Sequence, residues 1–209
     1  MAYDLIIVGA GPAGIFTALE LLRRGSKKKI LILEKGQPVE KRRCPKAETG
    51  RCMNCKPYCH ITTGFSGAGA FSDGKLSLSC EVGGDLPELI GEDLAQSLID
   101  YTDGIYLEFG ADEHVEGVGH SEEIKEIRKR AIQAGLRLVD CPIRHLGTEK
   151  AQQLYYAIQC YLQEQGVELR FGVPCTNLIL DKGVCLGVVI EEKGRQEELR
   201  AEQVVIATG

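Results

Sequence analysis

The feature that most constrains this chain is a glycine-rich turn near its start. The apolar run Tyr3–Val8 predicts a buried parallel strand that leads directly into residues 9–14, GAGPAG. Helical periodicity follows from Ile15 to Arg24, and a second apolar run, Ile30–Leu33, ends at Glu34. Strand, glycine turn, helix, strand and acidic residue, in this order and spacing, form the dinucleotide-binding fingerprint. The chain is therefore expected to open with a βαβ unit that binds a dinucleotide.

Each part of this turn has a physical role in holding a pyrophosphate. Gly9 permits the tight turn, Gly11 lets the backbone approach the phosphates, and Gly14 lets the helix pack close to the strand. The start of the helix adds free N–H groups and the positive end of its dipole. Glu34 is placed to accept hydrogen bonds from ribose hydroxyls, and its charge would repel a 2′-phosphate. The cofactor-binding residues predicted from the fingerprint are Gly9, Gly11, Pro12, Ala13, Gly14 and Glu34.

Composition narrows the class of protein. The 209 residues are 44% hydrophobic and 26% charged, as in ordinary globular proteins. The net charge of −5 gives no reason to expect a nucleic acid, and no apolar stretch approaches the ~20 residues that span a bilayer. The start lacks a signal-peptide layout, so we expect a cytoplasmic protein. The dinucleotide-binding fingerprint indicates a small-molecule substrate or an electron donor or acceptor as partner. Its nine cysteines then predict thiols, metal ligands or redox groups.

Further strings of the sequence resemble parts of known flavoproteins. Residues 3–14 with residues 31–36 (LILEKG) resemble the FAD domain of the glutathione-reductase-like superfamily. Residues 203–209 (QVVIATG) resemble the strand that returns the chain to the sheet of that domain. Residues 64–76 (GFSGAGAFSDGKL) and 142–149 (PIRHLGTE), with the fingerprint, closely resemble a bacterial family of FAD-dependent dehydrogenases whose substrates are largely unassigned.

The resemblance implies an α/β fold: a three-layer FAD/NAD(P)-binding, Rossmann-like domain with a parallel sheet, an antiparallel β insertion and inserted helices. It implies a first part of the FAD-binding domain at 1–80, an inserted helical, substrate-side region at 81–165, and an antiparallel segment with the return strand at 166–209. The β-rich stretch is expected at Val167–Phe171, Thr176–Leu180, Val184–Glu191 and Gln196–Arg200. Relatives continue through a further domain with a late Gly-Asp motif, so a C-terminally truncated enzyme is expected.

The glycine-rich segment is expected beside the flavin, because small side chains let the backbone pass close to a flat ligand. One departure from the family pattern is Ser66, where a glycine is expected; the change is too small to abolish binding. In the superfamily a basic residue after the ribose-binding glutamate often contacts FAD, and Arg42 or Arg43 stands in that neighbourhood. The further cofactor-binding residues implied by the resemblance are Lys35, Arg43, Gly67, Ala68, Gly69, Asp73 and Gly74.

Three polar residues are candidates for catalysis, although none is assigned a step. Lys75 could address the flavin or a hydride donor. Arg144 could clamp a carboxylate or phosphate with two hydrogen bonds, and His145 near the flavin could relay protons. The alternative for this pair is an arginine bonded to a surface acid and a histidine that packs.

The cysteine-rich segment between Arg42 and His60 leaves three interpretations open. Cys52, Cys55 and Cys59, with Cys44 upstream, supply four sulfurs in 16 residues, which suits zinc or an iron–sulfur cluster. A redox dithiol near the flavin is the second interpretation, and four reduced thiols in a loop are the third.

Helices are expected in the middle of the chain. The pattern predicts a helix from Glu92 to Leu107 interrupted near Gly104, and a second helix opened by Ser121. Residues 136–139 (LRLV) read as a strand, and Thr148 is expected to cap a third helix that ends at Gly166.

The function predicted from all of this is that of an FAD-dependent oxidoreductase of unknown substrate, with NAD(P)H as a candidate electron donor. The alternatives are a flavin-dependent modifying enzyme such as a hydroxylase, a nicotinamide-dependent dehydrogenase, and a cysteine-rich redox or metal protein on an FAD fold. A truncated remnant that does not function alone also stays open.

Overall fold

The structure is a computed structural model that describes residues 2–119 and 121–209. In chain order its elements are β1 (Tyr3–Val8), α1 (Pro12–Arg23), β2 (Ile30–Glu34), α2 (Lys46–Thr49), β3 (Lys75–Ser77), α3 (Leu86–Ile90), α4 (Glu92–Glu108), α5 (Glu122–Gln133), β4 (Ile143–His145), α6 (Gly147–Glu164), β5 (Glu168–Phe171), β6 (Cys175–Asp181), β7 (Val184–Glu192) and β8 (Arg195–Ile206). Short 3-10 turns lie at Val39–Lys41 and Gly69–Phe71.

The main sheet is parallel on one side and antiparallel on the other. Its strand order is β5-β2-β1-β8-β7-β6. The first four of these strands pair in parallel, whereas β8, β7 and β6 pair antiparallel. A parallel sheet with a crossover helix between β1 and β2 and with an antiparallel β segment confirms the predicted fold class.

One strand, β8, belongs to both halves of this sheet. It pairs antiparallel with β7 from Arg195 to Arg200 and in parallel with β1 from Ala201 to Ile206. The sequence predicted two separate strands here, and the structure joins them. β5 also differs from the expectation, because Glu168–Phe171 pairs in parallel with β2. The side-chain pattern of a strand indicates which of its faces are buried, but it does not indicate which strand lies beside it. The pairing of β5 and β8 therefore could not be predicted from the sequence.

The centre of the sheet is buried on both faces. All five residues of β2 are buried, and in β1 only Asp4 is half-buried. Strands covered on both faces consist of continuous apolar runs, as these two do. Ile15 and Leu19 of α1 are also completely buried. Each such side chain contributes about 1.5–3 kcal/mol of hydrophobic stabilisation. The buried centre of the sheet therefore fixes the positions at which the loops after β1 and β2 begin.

The chain divides into two compact units. The first combines the chain through Phe71 with Tyr155–Gly209, and the second contains Ser72–Leu154. In the second unit β3 pairs antiparallel with β4, and the buried Arg144 donates hydrogen bonds to both carboxylate oxygens of Asp103 at 2.5 and 2.7 Å. Across residues 2–119 and 121–209, the structure contains no helix that is both long enough and apolar enough to span a membrane.

Two elements of the second unit differ from the expectation. α4 runs through Gly104 without a break, because one glycine costs a helix only about 1 kcal/mol and packing easily overrides it. Residues 136–139 form no strand. In this unit, β3 pairs with Ile143–His145 and not with residues 136–139.

The helix starts were partly predicted. The Ser121 side chain accepts a hydrogen bond from the Ile124 N–H group at 3.2 Å, which confirms the predicted cap of α5. Thr148 is not a cap: α6 begins at Gly147, and the Thr148 hydroxyl donates to the carbonyl oxygen of Ser72 at 2.9 Å. In the sequence, a threonine one residue inside a helix looks the same as a threonine at the cap position, so one is easily mistaken for the other.

Candidate functional site

A cleft of about 550 Å³ opens in the first unit at the carboxyl ends of β1, β2 and β8. Ligands bind at this edge in open α/β sheets. Four segments form its walls: the glycine turn, the residues after β2, the glycine-rich loop (residues 64–71) and the segment after β8. Seven of the predicted cofactor-binding residues line it, namely Gly9, Gly11, Pro12, Ala13, Glu34, Lys35 and Gly67.

The three glycines of the turn meet three different surroundings. At Gly9, where φ is +105°, a Cβ atom would overlap the carbonyl oxygen of Ala207. At Gly14 a Cβ would overlap the carbonyl oxygen of Gly9. At Gly11, which precedes α1, a Cβ would have no atom within 4 Å apart from its own chain neighbours. Gly9 and Gly14 are therefore required by the fold itself, whereas the space beside Gly11 is free for a ligand.

Glu34 is a buried acid at the edge of the cleft. One carboxylate oxygen accepts a hydrogen bond from the Ala10 N–H group at 2.9 Å, and the other accepts from the Gly36 N–H group at 2.7 Å. Because an ionised carboxylate accepts about four hydrogen bonds, capacity remains for two ribose hydroxyls. The residue thus combines a fixed position with unused acceptor sites.

The start of the glycine-rich loop lies against the glycine turn. The Ser66 N–H group donates to the carbonyl oxygen of Ala10 at 2.7 Å. A Cβ on Gly67 would stand 4.0 Å from the Cα atom of Gly11. The two glycine-rich segments, distant in sequence, therefore form adjoining walls of one cleft, which fits a ligand that carries a pyrophosphate.

The middle of the loop turns away from the lining. Ser66 has a φ of +73°, a conformation that favours the glycine expected at this position. Its hydroxyl oxygen accepts a hydrogen bond from the Ala70 N–H group at 3.1 Å, which offsets part of that strain. Ala68 is exposed, and Gly69 faces the Tyr155 hydroxyl; neither is among the lining residues. Contact of these two residues with FAD stays a prediction.

Of the two adjacent arginines, Arg43 and not Arg42 is the FAD contact predicted from the sequence. The Arg43 side chain is 79% exposed and forms an ion pair with Glu48. It is not among the lining residues of the cleft, so its contact with FAD stays a prediction. Arg42 is buried and donates hydrogen bonds to backbone carbonyls of the glycine-rich loop. Two adjacent arginines after a ribose-binding acid are equivalent in sequence, and only the fold distinguishes them.

The second unit holds the remaining predicted residues. Lys75 lies opposite His145 across the β3–β4 pair, and its ammonium group is 3.0 Å from the Asp73 carboxylate. The hydrogen bond from Lys75 lowers the pKa of Asp73. The hydrogen bonds between Arg144 and Asp103 raise the pKa of Arg144 and engage both side chains. The structure thus groups Asp73, Lys75 and His145, while Arg144 has a structural partner.

In the part of the chain that the structure describes, the four cysteines proposed as metal ligands are not grouped into a metal site, so metal binding by them stays a prediction. Cys52 and Cys59 are exposed, whereas Cys44 and Cys55 are partly buried. Within residues 2–119 and 121–209, no three His, Cys, Asp or Glu side chains group closely enough to hold a metal ion. The arrangement therefore gives the metal interpretation no geometric support.

Cys59 differs from an ordinary surface thiol. It lines a second cavity of the first unit, about 430 Å³ in volume, together with Lys35, Arg42 and Tyr58. Hydrogen bonds from the backbone N–H groups of Thr62 and Ile61 lower the pKa of its thiol. Such bonds favour the thiolate, which is the nucleophilic form.

Alkylation of Cys59 by iodoacetamide is therefore expected to reach half of its maximal rate at a lower pH in the folded chain than in the urea-unfolded chain. Because the pKa is lowered on folding, the thiolate persists to lower pH only while the backbone bonds exist. Mass spectrometry of the Cys59 peptide after timed reactions across a pH series measures both profiles. Coinciding profiles would show that the backbone bonds do not stabilise the thiolate.

Comparison with protein families gives one match over most of the chain. The family described as "FAD binding domain" matches residues 62–209, a range that begins after the fingerprint. An uncharacterized protein from Clostridium beijerinckii is 42% identical to this chain over 72 residues, which are 34% of this chain and 13% of that protein.

Solved structures share the fold at low sequence identity. The 3-ketosteroid-Δ4-(5α)-dehydrogenase from Rhodococcus jostii RHA1 is 16% identical, with a TM-score of 0.60 over 100% of this chain and 46% of its own. L-amino acid deaminase from Proteus vulgaris is 19% identical, with a TM-score of 0.53 over 100% of this chain and 47% of its own. Glycine oxidase from Bacillus cereus is 17% identical, with a TM-score of 0.53 over 99% of this chain and 57% of its own. The chain thus spans about half the length of these proteins.

Proposed function

This chain belongs to the FAD binding domain family, and on that premise we propose that it binds FAD in the cleft of the first unit as part of an FAD-dependent oxidoreductase. The observation that carries the proposal is the pairing of two features on one cleft. Gly11 leaves open space at the start of α1, and the buried Glu34 carboxylate stands at the end of β2. The first suits a pyrophosphate and the second suits a ribose.

Each wall of the cleft has a role in this proposal. The backbone of residues 11–13 and the positive end of α1 hold the pyrophosphate, and Glu34 accepts hydrogen bonds from the adenosine ribose. Gly67 lets the loop backbone approach the cofactor, and Lys35 adds a positive charge beside the same cleft. FAD, when bound, supplies the redox chemistry, and the protein supplies position and electrostatics.

The substrate and electron donor extend the proposal beyond the described cleft. A small-molecule substrate is proposed because proteins of this fold include the steroid dehydrogenase and the amino acid deaminase named above. NAD(P)H is the proposed electron donor, and the grouped Asp73, Lys75 and His145 are the proposed polar contacts for reacting groups. The proposed compartment is the cytoplasm, where the nine free cysteines would stay reduced.

A titration of the purified chain with FAD tests the cofactor assignment. Isothermal calorimetry is expected to show one site with a micromolar or tighter dissociation constant, and the visible absorption bands of FAD should shift on binding. NADPH is the control as a competitor for the FAD cleft, where its affinity should be at least about a hundredfold weaker because Glu34 repels a 2′-phosphate. Equal affinities would contradict the FAD assignment, as would failure of FAD to bind. Iron and zinc are assayed on the same sample to test the cysteine-rich segment.

A further inference from the structure

Arg42 stands behind the cleft and not in it. It is absent from the residues that line the cleft, yet its side chain reaches the loop that forms one wall. We propose that Arg42 is a positioning residue, which holds the glycine-rich loop in the shape that FAD requires without contacting FAD. This inference rests on the proposed function.

One guanidinium group holds two parts of the backbone together. Its Nη1 atom donates to the carbonyl oxygen of Phe65 at 2.6 Å, and its Nη2 atom donates to that of Gly67 at 2.7 Å. Its Nε atom donates to the carbonyl oxygen of His60 at 2.9 Å, and Nη2 also donates to that of Ile61. The end of the cysteine-rich segment and the wall of the cleft are thus bonded to the same side chain.

The bonding of Arg42 requires the shape of arginine and not only its charge. Within the part of the chain that the structure describes, Arg42 forms no ion pair, although its side chain is buried. Burial lowers the pKa of Arg42 to about 10, and the charge of Glu34 opposes that shift. The guanidinium also lies 4.4 Å from the centre of the Phe71 ring. Four carbonyls around one planar fork cannot be reached together by the single ammonium group of a lysine.

The loop needs such support because its backbone is unusual. Within residues 64–67, three residues have positive φ angles: Gly64 at +128°, Ser66 at +73° and Gly67 at +58°. Left-handed conformations persist where surrounding contacts fix them. The Arg42 bonds to Phe65 and Gly67 flank Ser66, whose own N–H group donates to Ala10. Loss of the guanidinium would release the wall beside Gly11 and with it the space for the pyrophosphate.

Two substitutions test whether FAD binding depends on the shape of the Arg42 guanidinium group or only on its charge. Arg42→Met removes the fork and the charge, and Arg42→Lys keeps the charge alone. Both are expected to raise the FAD dissociation constant at least about tenfold, since each variant loses charge-assisted hydrogen bonds that fix the loop. The matched control is Arg170→Met, which removes a partly buried arginine paired with Glu192 and Glu197 in the same unit. It should lower stability while FAD affinity stays within about twofold of wild type.

Hydrogen exchange of the FAD-free chain supplies a readout that does not depend on the cofactor. The Ser66 and Gly67 amides should exchange at least about tenfold faster in Arg42→Lys than in wild type, while amides of β1 and β2 keep their protection. Wild-type affinity for FAD in the lysine variant would overturn the proposal. Weakened binding with unchanged exchange would overturn it too, because Arg42 would then act on FAD itself. If wild type fails to bind FAD, the proposed function fails, and exchange alone decides whether Arg42 holds the loop.

Discussion

Gly11→Val is expected to abolish FAD binding without unfolding the chain. Gly11 has φ −75° and ψ 179°, an extended conformation open to valine, and a Cβ there meets no atom within 4 Å. The cost to the fold is therefore about 1 kcal/mol or less, mainly from replacing a favourable helix N-cap residue. The added methyl groups would fill the space proposed for the pyrophosphate. Loss of two phosphate hydrogen bonds corresponds to at least about a hundredfold in the dissociation constant.

Calorimetric titration with FAD and urea unfolding of the same sample measure the two halves of this expectation. Gly11→Ala is the graded control, with a smaller side chain and a smaller loss of affinity. Undiminished affinity in the valine variant would place the pyrophosphate elsewhere. Lost affinity together with an unfolded chain would mean that the open space beside Gly11 is needed by the fold.

Gly14→Ala is expected to destabilise the chain by about 3 kcal/mol. Its Cβ would overlap the carbonyl oxygen of Gly9 and approach the Cγ2 atom of Ile7, so α1 would have to move away from β1. A backbone atom cannot turn aside as the end of a flexible side chain can, and overpacking of this kind costs about 1–3 kcal/mol or more. Urea unfolding, followed by circular dichroism, gives the change in the free energy of unfolding.

Gly104→Ala is the matched control for that experiment. Gly104 also lies inside a helix, α4, but a Cβ there meets no atom within 4 Å. The same substitution should therefore stabilise α4 by about 0.5–1 kcal/mol, because alanine has the higher helix propensity. Opposite signs for the two alanine variants would trace the effect at Gly14 to the close approach of α1 and β1. A similar change at both positions would refute that explanation.

The sequence predicted the fold best where a local pattern is compatible with a single structure. β1, the glycine turn and Glu34 were predicted as the structure has them, because a buried strand that ends in this turn has few alternative structures. Parallel pairing of β5 and the continuity of β8 depend on which strands become neighbours, which no local pattern reports.

The same contrast between local patterns and long-range contacts separates the residues of the candidate site that the sequence could predict from those that it could not. Residues whose proposed role depends on backbone shape, such as Gly11, could be named from their spacing in the sequence. The proposed role of Arg42 depends on four carbonyl oxygens that only the folded loop brings together. For Lys75 and His145 the structure adds a cross-strand pairing that neither residue's sequence context revealed. Long-range polar contacts of this kind leave no periodic pattern, so sequence reasoning could name the residues but not their partners.

The continuity of β8 has a mechanical consequence for the cleft. The strand has 12 residues and extends over roughly 40 Å, from its antiparallel pairing with β7 to the wall formed by Ala207 and Thr208. No loop interrupts it, and the Ala207 N–H group donates to the carbonyl oxygen of Val8 at 2.8 Å, one residue before Gly9. A force applied to the β6–β7 hairpin would therefore be transmitted along one backbone to the glycine turn. A segment or protein that binds this hairpin would therefore load the same strand that ends at the cleft.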